Sequence, residues 1–272
     1  MLTSSKWGEL FTEAEELGIG FILLAGGEPF LRPDVLEEAA AHHKILFPIF
    51  TNGTMLSEEA VKFLDKNRNL IPVLSIEGND VLTDTRRGPG TYRTLMESMG
   101  TLKDNGILFA ASITVTKENM DAVMEHTFVR ELEVRGCKGV IYVEYVPVDN
   151  TSRALAIDEK ARIKMNQKVN ALRQQMQEML FITFPGDEKS SGGYLAAGRG
   201  FFHINALGGA EPCPFSPYSD TNVNETSLKD ALQSTLFVKL RESDALEKEH
   251  IGGCVLFEQE KEIKSMLGNE EV

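Results

Sequence analysis

The sequence predicts an α/β fold built on a parallel sheet, followed by a smaller α+β region. Short apolar runs recur along the first 150 residues, as expected for strands that are buried on both faces of a parallel sheet. Segments with helical spacing lie between these runs. Strand and helix therefore alternate at intervals of about 25 to 35 residues, which is the pattern of successive βαβ units.

Five apolar runs are the candidate strands. They occupy residues 20–25, 44–50, 70–76, 107–115 and 139–148. Pro48 and Pro72 fall inside two of the runs, and proline removes a backbone donor from a strand. Each proline is compatible with its run only if it lies near the start of the strand.

Helix start signals follow these strands. Asp34, Ser57 and Thr91 or Tyr92 each precede or begin a segment with helical spacing. A longer amphipathic helix is predicted over residues 158–180, with a stripe of apolar residues that belongs in the core. The stripe contains Met165, Val169, Leu172 and Met176.

Composition excludes several classes of function. The net charge of −13 repels phosphate backbones, so we expect no nucleic-acid partner. No apolar run is long enough to cross a bilayer, and the first residues are acidic and amphipathic, so we expect neither a signal peptide nor a membrane partner. Three scattered cysteines cannot form a disulfide framework, which favours a cytoplasmic location.

Small and polar residues follow the predicted strands, where ligands bind in parallel α/β folds. They include Gly26-Gly27-Glu28-Pro29, Thr51-Asn52-Gly53, Ser75 to Gly78, and Ser112 with Thr114. Two glycines let a backbone approach a ligand closely, and a carboxylate accepts hydrogen bonds from an amine. A tight turn is the alternative for the first two loops, and plain strand positions are the alternative for Ser112 and Thr114.

The order of several motifs resembles the radical S-adenosylmethionine (SAM) enzymes, in particular those with a SPASM or twitch extension. The motifs are "LLAGGEP", "TNGT", "LSIEG" followed by "RRGPGTY", and "YVPV". The resemblance implies a partial (β/α)6 TIM-like barrel that here lacks its first strand. The implied organisation is a barrel core over 1–150, a linking helix over 151–190 and a SPASM/twitch-like extension over 191–272.

The resemblance also implies a set of SAM-binding residues. Gly26, Gly27, Glu28 and Pro29 correspond to the segment that takes the methionine amino group. Ser75 and Arg87 correspond to the groups that reach the carboxylate and ribose, with Arg86 as a solvated neighbour. Val146 or Val148 would pack on adenine, and Thr51, Asn52 and Ser112 complete the candidate set.

The main departure from the family concerns iron. Radical SAM enzymes hold a [4Fe-4S] cluster on three cysteines, usually spaced CxxxCxxC, and this spacing is absent from the sequence. We expect either a chain shortened at its N-terminus or a relative that has lost the cluster.

A second cysteine pattern lies in the carboxyl third, where "GGAEPCPF" and "GGC" are similar to the twitch segment. The resemblance would make Cys213 and Cys254 ligands of an auxiliary cluster. Tyr194 stands where an earlier cysteine is expected, and two thiolates are fewer than a cluster requires. The alternative is a pair of small buried residues.

Two functional hypotheses follow. The first is a radical SAM oxidoreductase that generates a 5′-deoxyadenosyl radical and abstracts hydrogen from a substrate such as a peptide, with a ferredoxin or flavodoxin as electron donor. The second is a degenerate, non-catalytic barrel that binds SAM or a partner. An unrelated metal-dependent barrel would require histidines at the strand ends, and none follows the predicted strands.

Overall fold

The computed structural model describes residues 1–149, 151–184, 193–248 and 250–268. Its centre is a five-stranded parallel sheet in which the strand order is the same as the chain order. The strands are β1 (Phe47–Thr51), β2 (Leu70–Ser75), β3 (Ala110–Val115), β4 (Gly139–Glu144) and β5 (Leu180–Phe184). The predicted α/β class is therefore confirmed.

Eight helices precede or connect these strands in the described part of the chain. They are α1 (Ser4–Glu16), α2 (Pro33–Ala41), α3 (Glu58–Lys66), α4 (Asp80–Arg87), α5 (Thr91–Asp104), α6 (Met120–Val123), α7 (His126–Val134) and α8 (Glu159–Gln175). Ser57 caps α3 as predicted, since its hydroxyl accepts from Ala60 N at 3.3 Å. Helices α4, α6 and α7 were not predicted.

The predicted strand at 20–25 is wrong as a regular strand. The segment makes two isolated parallel bridges, between Phe21 and Leu46 and between Leu24 and Ile49. The backbone N–H groups of Leu46 and Phe50 each donate to it at 2.9 Å. Pro48 lies between these two donors and has no N–H, so one rung of the ladder cannot form.

Residues 176–184 also differ from the prediction. Helix α8 ends at Gln175 instead of continuing to residue 180, and β5 then joins the sheet beside β4. Within β5, Phe181 and Thr183 are buried while Leu180 is exposed. This alternation is too short to distinguish a strand from a helix end by sequence. The apolar stripe of α8 is buried, as predicted for a core face.

The carboxyl-terminal region packs against the start of the chain. It contains the antiparallel pair β6 (His203–Ile204) and β7 (Ala210–Glu211), followed by α9 (Leu228–Ala231), α10 (Thr235–Glu242) and α11 (Glu260–Met266). Ser234 separates α9 from α10 and caps α10, since its hydroxyl accepts from Phe237 N at 3.3 Å. Leu2 N donates to Ala206 O at 2.7 Å, and Leu228 N donates to the Glu13 carboxylate at 2.6 Å.

The domain boundaries stay a prediction. Strand β5 places part of the predicted 151–190 linker in the main sheet, and residues 185–192 lie outside the described residues. Across the described residues, no helix combines the length and apolar character needed to cross a bilayer.

Candidate cofactor site at the strand ends

The "GGEP" and "TNG" loops meet through the Glu28 carboxylate. Its Oε1 accepts from Thr51 Oγ1 at 2.9 Å and its Oε2 accepts from Asn52 N at 2.9 Å. Oε1 also accepts from Phe30 N at 3.2 Å. The two loops are therefore joined at the carboxyl end of β1. Asn52 additionally forms its own turn, because its Oδ1 accepts from Thr54 N at 2.9 Å.

The glycines of the first loop leave their backbone open. Gly26 has φ of +148°, a conformation that favours glycine, and a Cβ added at Gly26 or Gly27 would meet no atom within 4 Å. Both glycines are exposed, and Pro29 begins a short 3₁₀ turn directly after Glu28. This arrangement leaves backbone groups accessible to a ligand beside a carboxylate whose position is fixed.

Ser75 and Ser112 are neighbours in the sheet. They are paired in the register of β2 and β3, and Ile76 N donates to Ser112 O at 2.9 Å. Ser112 is buried and Ser75 is half-buried. Strand pairing here begins at Val73, immediately after Pro72, so the serines lie on the regular part of the ladder.

Arg87, the predicted carboxylate ligand, is held by a residue that the sequence analysis did not assign to the site. Glu77 follows β2 and is 1% exposed. Its Oε1 accepts from Arg87 Nη2 at 2.6 Å and lies 3.3 Å from Arg86 Nε, while its Oε2 accepts from Thr114 N at 3.2 Å. The available signal was a carboxylate directly after a buried strand, ahead of two arginines.

Helix α4 explains the reach of these arginines. Arg86 and Arg87 are its last residues, and the following Gly88 has φ of +104°, which ends the helix. The Arg86 guanidinium carbon lies 5.4 Å from the centre of the Tyr145 ring, just beyond β4. Arg86 is thus a member of the cluster rather than a solvated neighbour.

The electrostatics of the cluster are unbalanced. Burial raises the pKa of Glu77 above its usual value, and Arg87 and then Arg86 act in the opposite direction. With Glu77 ionised, two guanidinium groups face one carboxylate, which leaves one positive charge in excess. Arg87 Nε is buried and has no hydrogen-bond partner among the described residues. We call Gly26–Pro29, Thr51, Asn52, Ser75, Glu77, Arg86 and Arg87 the strand-end site.

The two candidate adenine-packing residues lie in different environments. Strand β4 ends at Glu144, so both valines lie beyond the strand rather than on it. Val146 is buried, whereas Val148 is 69% exposed. Val146 is therefore packed in the core just beyond β4, whereas the side chain of Val148 is exposed.

A second buried ion pair joins the carboxyl-terminal region to the sheet. Arg162 Nε donates to both Glu144 oxygens at 3.1 and 3.0 Å, and Arg162 Nη2 donates to Gly252 O at 3.1 Å. Gly253 N donates to Tyr145 O at 3.2 Å. A Cβ on Gly253 would lie 2.4 Å from Glu144 O, so this close approach requires glycine.

The two cysteines of the carboxyl-terminal region are in contact. Cys213 Sγ lies 3.4 Å from Cys254 Sγ and 3.2 Å from the Tyr194 hydroxyl, and it accepts from Phe215 N at 3.4 Å. All three side chains are buried, and burial raises the pKa of the Cys213 thiol. We call Tyr194, Cys213 and Cys254 the sulfur core. Cys137 lies elsewhere, at the start of β4, with its thiol donating to Gly139 O at 3.1 Å.

These residues do not fit an iron–sulfur cluster. Each cysteine of a [4Fe-4S] cluster binds a different iron, so the ligand sulfurs are separated by the cluster, whereas the two sulfurs of the sulfur core are in direct contact. Among the described residues, no group of three or more His, Cys, Asp or Glu side chains could hold a metal ion. The predicted auxiliary ligands are thus brought together, but as a hydrogen-bonded pair with a tyrosine.

Comparison with known proteins gives consistent matches. Residues 2–128 match the model of the radical SAM superfamily. An AdoMet-dependent heme synthase from Methanosarcina barkeri is 26% identical over 286 residues, covering 96% of this chain and 80% of the relative. The sporulation killing factor maturation protein SkfB of Bacillus subtilis is 24% identical over 244 residues, covering 84% and 57%.

The solved structure of Streptococcus suis SuiB has the same fold. It superposes with a TM-score of 0.73 at 17% identity, covering 89% of this chain and 62% of SuiB. The chain thus spans most of the heme synthase but less than two thirds of SkfB and SuiB. Members of the matched family use SAM and a [4Fe-4S] cluster, and SuiB has been solved with S-adenosylmethionine bound. Residues 2–128 thus match the radical SAM superfamily, and the chain as a whole is similar in sequence and fold to radical SAM enzymes.

Proposed function

We propose that this chain is the SAM-binding core of a radical SAM oxidoreductase, with SAM lying across the strand-end site. The observation that carries the proposal is the junction of the two loops at Glu28, together with the Glu77–Arg86–Arg87 cluster, which has one positive charge in excess. An amino acid moiety carries an amine and a carboxylate, so it needs both kinds of partner.

Each group has a distinct role in this proposal. The open Gly26–Gly27 backbone and Glu28 take the amine, and Arg87 takes the carboxylate through a charged hydrogen bond. Ser75 and Ser112 offer hydroxyl groups to the ribose from neighbouring strands. Val146 gives adenine an apolar surface, and Thr51 and Asn52 hold Glu28 in place.

Hydrogen abstraction requires a cluster that these residues do not supply. Radical chemistry would need thiolate ligands from outside the 272 residues. The same observation favours the second candidate function, a barrel that binds SAM or a partner without radical chemistry. In the form of this alternative that binds SAM, the strand-end site has the same ligand as in the first.

We propose a peptide as the substrate class for a catalytically complete form. SkfB is named as a maturation protein, and SuiB has been solved bound to a precursor peptide, SuiA. The heme synthase, in contrast, is a relative whose name indicates a tetrapyrrole product and not a peptide. An electron donor such as a ferredoxin or flavodoxin belongs to the same proposal.

Calorimetry with SAM tests the proposed site. Replacing Arg87 with alanine removes a charged hydrogen bond worth about 1.5–3 kcal/mol, so the affinity should fall roughly 10- to 100-fold. Arg130→Ala is the matched control, because Arg130 pairs with Glu133 on the exposed surface of α7 and should leave SAM binding unchanged. Equal affinity of wild type and Arg87→Ala would remove Arg87 from the site.

A further inference from the structure

Burial of the Glu77 carboxylate is energetically unfavourable and requires compensating partners. A carboxylate that is 1% exposed has lost nearly all of its hydration, which is unfavourable unless charged partners replace the water. Glu77 receives such partners from two elements, Arg86 and Arg87 on α4 and the Thr114 backbone at the end of β3. It thereby ties the helix that carries both arginines to the carboxyl ends of the strands.

The contacts of Glu77 fix the orientation of the Arg87 guanidinium. One of its terminal nitrogens, Nη2, is engaged by Glu77 at 2.6 Å. Its Nε is buried and has no partner among the described residues. A buried donor without an acceptor is energetically unfavourable, and a ligand oxygen would remove this penalty on binding.

The net charge of the Glu77–Arg86–Arg87 cluster also favours an anionic ligand. Glu77 neutralises only one of the two arginines, so the cluster keeps a positive charge within a chain whose net charge is −13. The Arg86 guanidinium has a second contact with the Tyr145 ring, whereas the Arg87 guanidinium is held by Glu77. The surplus charge is available to an anionic group at the strand ends.

We propose that Glu77 is a positioning residue that holds Arg86 and Arg87 as a receptor for the carboxylate of the bound ligand. The identity of that ligand as SAM rests on the proposed function. The receptor itself follows from the contacts of Glu77 with the two arginines and Thr114.

The test compares two ligands that differ in the carboxylate. SAM carries the amino acid moiety, and 5′-methylthioadenosine has the same nucleoside without it. Glu77→Gln should weaken SAM binding about tenfold, because the amide no longer orients the guanidinium by charge. It should change the affinity for 5′-methylthioadenosine less than about twofold. Glu77→Asp, which keeps the charge, should recover part of the loss.

Glu144→Gln is the matched control. Glu144 is also a buried carboxylate paired with an arginine at a strand end, but its partner Arg162 lies on α8 and contacts the carboxyl-terminal segment. The Glu144→Gln variant should be less stable than wild type, but the ratio of its affinities for SAM and 5′-methylthioadenosine should be unchanged. If Glu77→Gln weakens both ligands equally, Glu77 has only a structural role and the proposal is overturned.

A second measurement decides the proposal if the wild type binds neither ligand, a result that would refute the proposed function. NMR of the arginine side chains reports whether the Nε–H of Arg87 is held in one orientation. We expect a separate, slowly exchanging signal in the wild type that is lost in Glu77→Gln and kept in Glu144→Gln. An unchanged Arg87 signal in Glu77→Gln would overturn the positioning role independently of SAM.

Discussion

The strand-end site and the sulfur core differ in how their polar groups are satisfied. At the strand-end site the Gly26–Gly27 backbone is open, and Arg87 Nε has no partner among the described residues. In the sulfur core, Tyr194, Cys213 and Cys254 contact one another and are buried. One region keeps groups available for a ligand, whereas the other is closed by its own side chains.

This difference shows that cysteines with a spacing similar to that of a known family do not by themselves form a cofactor site. The sulfur core has two cysteines at positions similar to the twitch segment, but they contact each other and a tyrosine hydroxyl. The strand-end site has a local excess of positive charge and an unpartnered donor, which suit the proposed ligand. The following predictions test that comparison, from the largest expected effect to the smallest.

The largest effect concerns iron. Anaerobic reconstitution of the 272-residue chain with iron and sulfide should give no cluster that reductively cleaves SAM, because Cys137, Cys213 and Cys254 do not form a three-thiolate group. Bound iron, visible absorbance and formation of 5′-deoxyadenosine are the measurements. A stoichiometric cluster that cleaves SAM would contradict both the prediction and the comparison.

The Tyr194→Cys variant provides a second test in the same reconstitution experiment. The change places a third sulfur next to Cys213, so we expect the variant to retain iron after reconstitution and gel filtration while the wild type does not. Tyr194→Phe is the control, since it removes the hydroxyl without adding a ligand. Iron retention equal to that of wild type would mean that the core cannot open to admit a metal.

Gly253 precedes Cys254 of the sulfur core and packs against the end of β4. The stability of the protein should be sensitive to one methyl group added at this contact. Gly253→Ala places a Cβ 2.4 Å from Glu144 O, and we expect the free energy of unfolding to fall by about 3 kcal/mol. Denaturant unfolding is the measurement. Gly100→Ala is the matched control within α5: its added Cβ meets no atom within 4 Å, and stability should rise by up to about 1 kcal/mol.

The smallest expected effect is a pH dependence of stability caused by Cys137, which lies outside the sulfur core. Burial raises the pKa of its thiol to about 11, whereas an unfolded cysteine ionises near pH 8.5. The unfolded state therefore loses its proton first, and the stability contributed by the neutral thiol is lost as the pH rises from about 8.5 toward 11. Between pH 8 and pH 10, Cys137→Ala should lose about 2 kcal/mol less stability than wild type. Equal losses measured by denaturant unfolding would exclude Cys137 as the cause.

The sequence by itself determined the fold class and located several residues of the strand-end site. Apolar runs bounded by polar loops locate four of the five parallel strands, because burial on both faces leaves an unbroken apolar signal. The motifs also locate Glu28, Ser75 and Arg87 at the strand ends. The segment at 20–25 carries the same apolar signal, but the missing N–H of Pro48 keeps it from becoming a regular strand.

Only the tertiary structure decided which of these residues act together. The contact between Glu28 and Thr51 joins positions 23 residues apart, and the contact between Glu77 and Thr114 joins positions 37 apart. The contact between Cys213 and Cys254 joins positions 41 apart, and Gly253, next to Cys254, packs against Glu144 of β4. Sequence patterns report local periodicity, whereas these contacts are set by strand register and by the packing of distant segments, which no local pattern encodes.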